Sequence, residues 1–277
     1  MAAGLRANLR LVTRLFAILC LIPASLVQAV LLACVNAFSP RSRRRLQPPM
    51  MRLWFRLLAR IWGIEVEVRG RPATAPVLVA SNHRSWLDII VYGATLSGTF
   101  ISKAEIDRWL LIGYLSRHGG RTLYISRGEM RSFKSLGGNL IGRLREGDRV
   151  IFFPEGTVSG DCPLRRFRPR LFEAAIAADC PVQPVALAYV DGDGAAAAPM
   201  RLDDKFPFHA LRMLRCERTV ARLEFLSPLM PGGKPAKELA GRAQAAVAAV
   251  LTHGELPSPG EFAGTLGGLD RGCGRDK

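Results

Sequence analysis

The sequence predicts an α/β fold, a mostly parallel sheet flanked by helices, preceded by an N-terminal membrane-associated helical segment. From about residue 65, short β-rich runs alternate with helical segments, which is the pattern of a layered fold with a largely parallel sheet. Two of these runs, VLVA and VIFF, are apolar throughout, as expected of strands that are buried on both faces. Before them, residues 16–35 carry no charge, which predicts a helix in contact with lipid.

The composition limits the class of protein. Of 277 residues, 49% are hydrophobic, which is typical of a globular or membrane-associated chain. The 39 Lys+Arg and 23 Asp+Glu give a net charge of +16, which favours nucleic acid or an anionic lipid surface as a partner. The 6 cysteines form no C-x-x-C pair, which argues against a disulfide framework and against a zinc site.

The uncharged stretch at residues 16–35 reaches the roughly 20 residues that a spanning helix needs. Arginines lie on both sides of it, so the orientation of such a helix is ambiguous. A cleaved signal peptide competes, with a lipoprotein-like box ending at Cys34, although the apolar run exceeds the usual length of about 7–15 residues. Pro23 and Gln28 also permit a bent helix that enters one leaflet. We assign residues 1–49 to a membrane anchor and a basic linker.

Residues 39–49 are predicted to be that linker, because three prolines oppose helix continuation, and the arginines among them suit lipid headgroups. In residues 50–64, Arg52, Arg56 and Arg60 recur every four residues, and aliphatic and tryptophan side chains cover the remaining surface. This pattern predicts a helix in the membrane interface; an ordinary helix packed on the domain is the alternative.

The main domain is predicted to span residues 50–256, and a Gly-rich tail at 257–277 is predicted to be flexible. Strands are predicted at residues 64–70, 76–81, 98–103, 121–127, 148–154, 181–190 and 220–229. Helices are predicted at residues 86–92, 106–116, 130–146, 170–178 and 236–252. In open α/β sheets, ligands bind beyond the carboxyl ends of the strands, so polar residues at strand ends are the candidates for chemistry.

Several common site motifs do not occur in the sequence. It contains no phosphate-binding G-x-x-x-x-G-K-[ST] loop, no G-x-G-x-x-G after a strand, and no G-x-S-x-G nucleophile turn. It also contains no H-E-x-x-H motif and no His/Cys cluster, so we expect neither a metal nor a cofactor. Its basic residues are not interleaved with aromatics as a single-strand groove requires, so we expect no nucleic-acid partner.

A histidine and an aspartate follow the first of the two wholly apolar runs, in the segment NHRSWLD (82–88). Within one helix, side chains five positions apart point about 140° apart, but across a strand-to-helix turn they can converge. Asp88 would then fix the tautomer of His83 and leave the other ring nitrogen as a base. Asp88 also suits a capping box with Ser85, so helix capping is an equally good account of the aspartate alone.

Two further strand ends carry polar residues. Arg127 follows the run RTLYIS, where a guanidinium can clamp a phosphate, or can simply be solvated. In VIFFPEGTVSG (150–160), the backbone N–H groups around Gly156 can face an anion, although turn formation alone explains the Pro and Gly residues. Glu155, directly after an apolar strand, needs a cation or a hydroxyl as its partner.

Together these segments resemble the glycerolipid acyltransferase family. NHRSWLD is similar to its H-x-x-x-x-D block, LYISR to its second block, FPEGTVS to its F-P-E-G-T-R-S block, and VQPVAL to its fourth. The likeness covers roughly residues 65–230. The occurrence of the first and third blocks in this order is a specific signal for the family. Val158 departs from the family, which usually has arginine there; Arg165, Arg166 or Arg168 are candidates to compensate.

The resemblance implies direct acyl transfer, without an acyl-enzyme, from acyl-CoA or acyl carrier protein to the hydroxyl of a lysophospholipid. The first expectation is 1-acyl-sn-glycerol-3-phosphate, giving phosphatidic acid; lyso-ornithine lipid is the second acceptor considered. By the same resemblance, His83 is the general base, Asp88 orients it, and four residues bind the acceptor: Arg127, Glu155, Gly156 and Thr157. The expected location is the cytoplasmic face of a bacterial inner membrane. A lipid hydrolase using the same histidine, and a membrane-anchored protein that binds lipid or nucleic acid, are two further candidate functions.

Overall fold

The structure is a computed structural model that describes residues 2–103, 122–125, 130–160, 163–190 and 204–253. The strands are β1 Ile64–Gly70, β2 Val77–Ser81, β3 Thr99–Lys103, β4 Thr122–Ile125, β5 Arg149–Phe152, β6 Val182–Val190 and β7 Thr219–Phe225. The helices are α1 Ala2–Phe38, α2 Pro40–Ile61, α3 Leu87–Thr95, α4 Met130–Arg145, α5 Phe172–Ala177, α6 Phe206–Arg215 and α7 Ala236–His253, with a 3₁₀ turn at Pro169–Leu171 before α5.

The strands form one sheet in the order β1-β7-β6-β2-β5-β3-β4, with β2 at its centre. Neighbouring strands are parallel, except that β6 and β7 are antiparallel. The two faces of β2 are both buried, because Val77 and Val79 pack on one face and Leu78 and Ala80 on the other. Helices α1, α2, α3 and α6 lie over the first face, and α4, α5 and α7 over the second. The predicted fold class is thereby confirmed.

Each strand overlaps its predicted run, because buried β-branched runs bounded by turn residues are a strong local signal. Helix α6 was not predicted, although a helix lies there and packs against α1. The predicted helix at 106–116, Arg127 and the tail at 257–277 lie outside the described residues.

The prediction of a linker at residues 39–49 is wrong. Helix α2 runs without interruption from Pro40 to Ile61, through both Pro48 and Pro49. Pro40 occupies the first turn, where a missing N–H is tolerated, and the Ser39 hydroxyl caps the helix by accepting from the Ser42 N–H at 3.3 Å. Each internal proline opposes the helix by about 3 kcal/mol, and the packing of α2 against α1 and α3 offsets this.

The basic stripe of α2 contacts the domain. Arg52 donates to the Ser97 hydroxyl at 2.8 Å, and Arg56 donates to the Ala94 carbonyl at 3.2 Å. Trp62, at the C-terminal end of the helix, is buried in the core. For these residues the structure has the helix packed on the domain, which was the second interpretation of the sequence.

Helix α1 has two different faces. Its inner face packs on the core through Leu11 and Ile18, and on α2 through Ser25, whose hydroxyl accepts from the Trp54 Nε1–H at 2.6 Å. Its outer face exposes a row of apolar side chains: Leu5, Leu9, Val12, Phe16, Leu19, Leu26, Val27 and Val30. The segment Gly4–Phe38 is long and apolar enough to cross a membrane. An exposed apolar row of this length indicates contact with lipid.

Candidate active site

The site is located at the carboxyl edge of two neighbouring strands. β2 and β5 are parallel, with Ala80 opposite Phe152, so the residues that follow the two strands emerge side by side. This register brings NHRSWLD and FPEGTVS together, as expected for ligand sites in open α/β sheets. Asn82 fixes the end of β2, because its side-chain amide both donates to the Leu187 carbonyl and accepts from the Leu187 N–H, each at 2.8 Å.

His83 and Asp88 form a hydrogen-bonded pair. His83 Nδ1 lies 2.6 Å from Asp88 Oδ2, and Asp88 is fully buried in the first turn of α3. The same Asp88 oxygen accepts from the backbone N–H groups of Arg84 at 2.7 Å and Ser85 at 3.1 Å. Asp88 therefore holds the backbone that leads into α3 and is also the partner of the histidine. Because the carboxylate is an acceptor, we assign the imidazole proton to Nδ1, which leaves Nε2 to accept a proton.

The second oxygen of Asp88 is held by a residue that the sequence analysis missed. The Tyr189 hydroxyl, on β6, donates to Asp88 Oδ1 at 2.7 Å. Burial, and then the charge of Asp88, raises the pKa of Tyr189 well above its ordinary value, so this hydroxyl keeps its proton. The only sequence signal was a phenol in a strand whose one other polar side chain is that of Gln183.

The FPEGTVS loop holds the backbone of His83. Glu155 Oε1 accepts from the His83 N–H at 2.7 Å, and its other oxygen accepts from the Arg165 N–H at 3.0 Å. The Ser159 N–H and hydroxyl both donate to the His83 carbonyl, at 2.7 and 2.8 Å. Burial raises the pKa of Glu155, while its two backbone hydrogen bonds act in the opposite direction. The partner that Glu155 needs is thus largely the main chain, and Glu155 holds the backbone of His83.

Phe153 lies against the imidazole ring. The two rings are stacked, with centroids 4.1 Å apart and planes 11° apart. The His83 side chain keeps 17% of its surface exposed, whereas Asp88 keeps none. The ring is therefore fixed on one face by Phe153 and at Nδ1 by Asp88, and part of the side chain remains exposed.

Two arginine side chains lie against the loop that contains Gly156 and Thr157. Gly156 has a φ of +74°, and a methyl group there would lie 3.4 Å from Arg168 Cζ and Nε. Arg84 donates to the Gly160 carbonyl at 3.0 Å across the same loop. The sequence-predicted residues that are described thus lie at this edge: His83, Glu155, Gly156 and Thr157 on the two neighbouring loops, and Asp88 in the first turn of α3. No group of three or more His, Cys, Asp or Glu suited to a metal occurs among the described residues.

Comparisons with known proteins show which proteins the chain is similar to. A family model described as Acyltransferase matches residues 64–188. The lyso-ornithine lipid O-acyltransferase of Pseudomonas aeruginosa is 36% identical over 253 residues, covering 91% of this chain and 97% of that protein. A 1-acyl-sn-glycerol-3-phosphate acyltransferase of Neisseria meningitidis is 36% identical over 168 residues, covering 59% of this chain and 64% of that protein.

A solved structure has the same fold. The crystal structure of the 1-acyl-sn-glycerophosphate acyltransferase PlsC from Thermotoga maritima superposes with a TM-score of 0.65 at 19% sequence identity. The match covers 89% of this chain and 95% of that one.

Proposed function

Since the chain belongs to the acyltransferase family and is an acyltransferase of the lysophospholipid type, we propose that it transfers an acyl group from a thioester donor to the hydroxyl of lyso-ornithine lipid, with His83 as general base. The observation that carries the mechanism is the 2.6 Å contact between His83 Nδ1 and Asp88 Oδ2. The donor is acyl-CoA or acyl carrier protein, and the net charge of +16 favours either, because both are acidic.

In this mechanism His83 moves one proton. Nε2 takes the proton of the acceptor hydroxyl as its oxygen attacks the thioester carbonyl, and Asp88 stabilises the imidazolium that forms. A carbon–oxygen bond forms and the carbon–sulfur bond breaks. The thiolate then leaves with the proton that His83 returns to it, so the histidine ends in its starting state. Holding the main chain of His83 with Glu155 and Ser159 keeps Nε2 in place through both proton transfers.

The acceptor is proposed from the extent of the similarity. The relative named for lyso-ornithine lipid matches 97% of its own length, and a second relative of that name, from Rhodobacter capsulatus, is 33% identical and matches over 72% of its length. The relative named for 1-acyl-sn-glycerol-3-phosphate matches over 64% of its length, with the same 36% identity, so this acceptor is the second candidate. Val158, in place of the arginine usual in the family, fits a headgroup with less negative charge.

Both candidate acceptors carry an oxyanion, a carboxylate in one and a phosphate in the other. Arg168 over Gly156, with Thr157 in the same turn, offers donors to either group. Arg127 remains a candidate for this contact from the sequence. The site operates beside the membrane that α1 enters, and we propose its cytoplasmic face, where acyl-CoA and acyl carrier protein occur.

The test is an acylation assay with purified protein in lipid nanodiscs, labelled acyl-CoA or acyl carrier protein, and both lysolipids. We expect acylated ornithine lipid from the wild-type protein and none above background from His83→Ala. Free fatty acid without acylated lipid would indicate a hydrolase instead. Equal product from wild type and His83→Ala would refute the mechanism, and product from 1-acyl-sn-glycerol-3-phosphate alone would select the second acceptor.

The contribution of Arg168 is tested with Arg168→Gln. We expect a rise in KM for the acceptor of about tenfold, because one charge-assisted hydrogen bond is lost, with little change for the donor. Arg166→Gln is the matched control, since Arg166 is exposed on the same segment, whereas the guanidinium that lies over Gly156 is that of Arg168. Equal effects of the two substitutions would mean that only the general positive field of the loop matters.

A further inference from the structure

Helix α6 exposes an apolar face. Phe208 and Leu211 are 68% and 38% exposed, whereas Met213 and Leu214 are buried on the inner side, where Phe206 packs edge-on against Trp86 with ring centroids 5.1 Å apart. Scattered exposed hydrophobic residues are ordinary, but Phe208 and Leu211 lie one turn apart on the same face of an amphipathic helix and form a patch that water disfavours. We call this face, together with Arg212 and Arg215, the α6 patch.

The α6 patch combines apolar and basic side chains. Phe208, Leu211, Arg212, Arg215 and Cys216 line a shallow depression of about 370 Å³. Arg212 is paired with Asp204 at 2.7 Å, and Arg215 is exposed beside it. Aromatic and aliphatic groups flanked by arginine are the composition of a helix that lies in the interface of an anionic membrane.

The α6 patch adjoins the helix that is apolar enough to cross a membrane. On α1, Arg14 donates to the carbonyls of Met213, Leu214 and Cys216, at 3.3, 3.1 and 2.6 Å, and so holds the C-terminal end of α6. Arg10 forms an ion pair with Glu217 at 3.0 Å just beyond it. The two helices are therefore fixed to each other, so α6 lies beside a helix whose exposed apolar row favours contact with lipid.

We propose that the α6 patch is a second membrane contact, which places Phe208 and Leu211 at the boundary of headgroups and acyl chains in an anionic leaflet. Its inner face rests on the active-site turn, because His209 Nδ1 accepts from the Trp86 Nε1–H at 2.9 Å, and Trp86 lies two residues before Asp88. Docking through α6 then separates the catalytic turn from the bilayer by about one helix diameter, roughly 10 Å. The proposal is independent of which lysolipid is acylated.

The experiment is site-specific photo-cross-linking of the full chain in nanodiscs. Phe208→p-benzoylphenylalanine is compared with Met230→p-benzoylphenylalanine, at a residue that is 57% exposed. Met230 follows Leu229, which pairs with Val182 at the start of β6, so the control lies at the sheet edge opposite His83. Leu211→p-benzoylphenylalanine supplies a second position on the patch.

In nanodiscs of phosphatidylglycerol and phosphatidylcholine, we expect lipid adducts at positions 208 and 211, and a yield at position 230 several-fold lower. Adding Arg215→Gln is expected to reduce the adduct at position 208 about fivefold in anionic nanodiscs, and to leave it unchanged in phosphatidylcholine alone. Equal lipid yields at positions 208 and 230 would overturn the proposal. Cross-links from position 208 to a second copy of the chain would also overturn it, in favour of a protein interface.

Discussion

Two histidines lie beside the same turn, and their environments are opposite. His83 faces Asp88 at Nδ1 and keeps part of its side chain exposed, whereas His209 is fully buried and its Nδ1 accepts from the Trp86 Nε1–H. Burial, with a smaller effect of Arg212, lowers the pKa of His209 to about 4, so it is neutral at physiological pH. The partner at Nδ1 thus sets the role of each histidine. In His83 the carboxylate of Asp88 leaves Nε2 free to take a proton, whereas in His209 the indole N–H of Trp86 places the proton on Nε2.

The largest effect is expected from His83→Gln, which removes the base and keeps a polar side chain of similar length. We expect kcat to fall by about 10²–10⁴-fold, the usual contribution of a general base. The measurement is single-turnover acyl transfer with each lysolipid, with His209→Gln, on α6 beside the same turn, as the matched control. A loss of similar size in both variants would contradict the difference in role between the two histidines.

Asp88→Asn is expected to reduce kcat by roughly 10²–10³-fold, because an amide that donates toward Nδ1 selects the wrong tautomer of His83. The KM for the acceptor should change little, since Asp88 is fully buried and its four hydrogen bonds are to protein groups. A purely structural role would instead lower the free energy of unfolding and leave kcat of the folded fraction intact. Active-site titration with circular dichroism on the same sample separates the two outcomes.

Tyr189→Phe tests whether the carboxylate must be held from both sides. Loss of the 2.7 Å bond to Asp88 is expected to reduce kcat about tenfold, the size typical of a hydrogen bond to a charged group, with KM unchanged. Tyr92→Phe is the control, because Tyr92 is also buried but its hydroxyl makes no hydrogen bond to Asp88. If both substitutions affect kcat equally, Tyr189 acts only through packing.

The His83–Asp88 pair could be predicted from the sequence, because both residues lie in one short motif directly after a strand whose apolar run is a strong local signal. The sequence did not reveal Tyr189 or the contact of Glu155 with the backbone of His83, because these contacts join residues 101 and 72 positions apart, and only the order and register of the strands bring them together. The unbroken α2 helix was mispredicted for a related reason. Local proline propensity opposes it, and packing against α1 and α3 outweighs that propensity.

The smallest effect on catalysis, and an effect on stability, are expected from His209→Gln. The amide oxygen of glutamine can accept from the Trp86 Nε1–H as Nδ1 does, so kcat at neutral pH should stay close to that of the wild type. The folded pKa of about 4 lies below the ordinary histidine value of about 6.5, so between these values the unfolded chain binds the proton. The contribution of neutral His209 to the free energy of unfolding is therefore fully present above about pH 6.5 and is lost as the pH falls toward about 4.

Thermal unfolding at pH 7.5 and pH 4.5, in the same detergent, measures this contribution. Relative to wild type, His209→Gln is expected to lose less stability on acidification, by on the order of 2 kcal/mol. Glu155 changes stability with pH in the opposite direction, because burial raises its pKa and protonation then favours the folded state. Its contribution is the same in both proteins and cancels in the comparison. Identical acid sensitivity in the two proteins would mean that His209 does not remain uncharged against Trp86. The contrast with His83 would then rest on Asp88 alone.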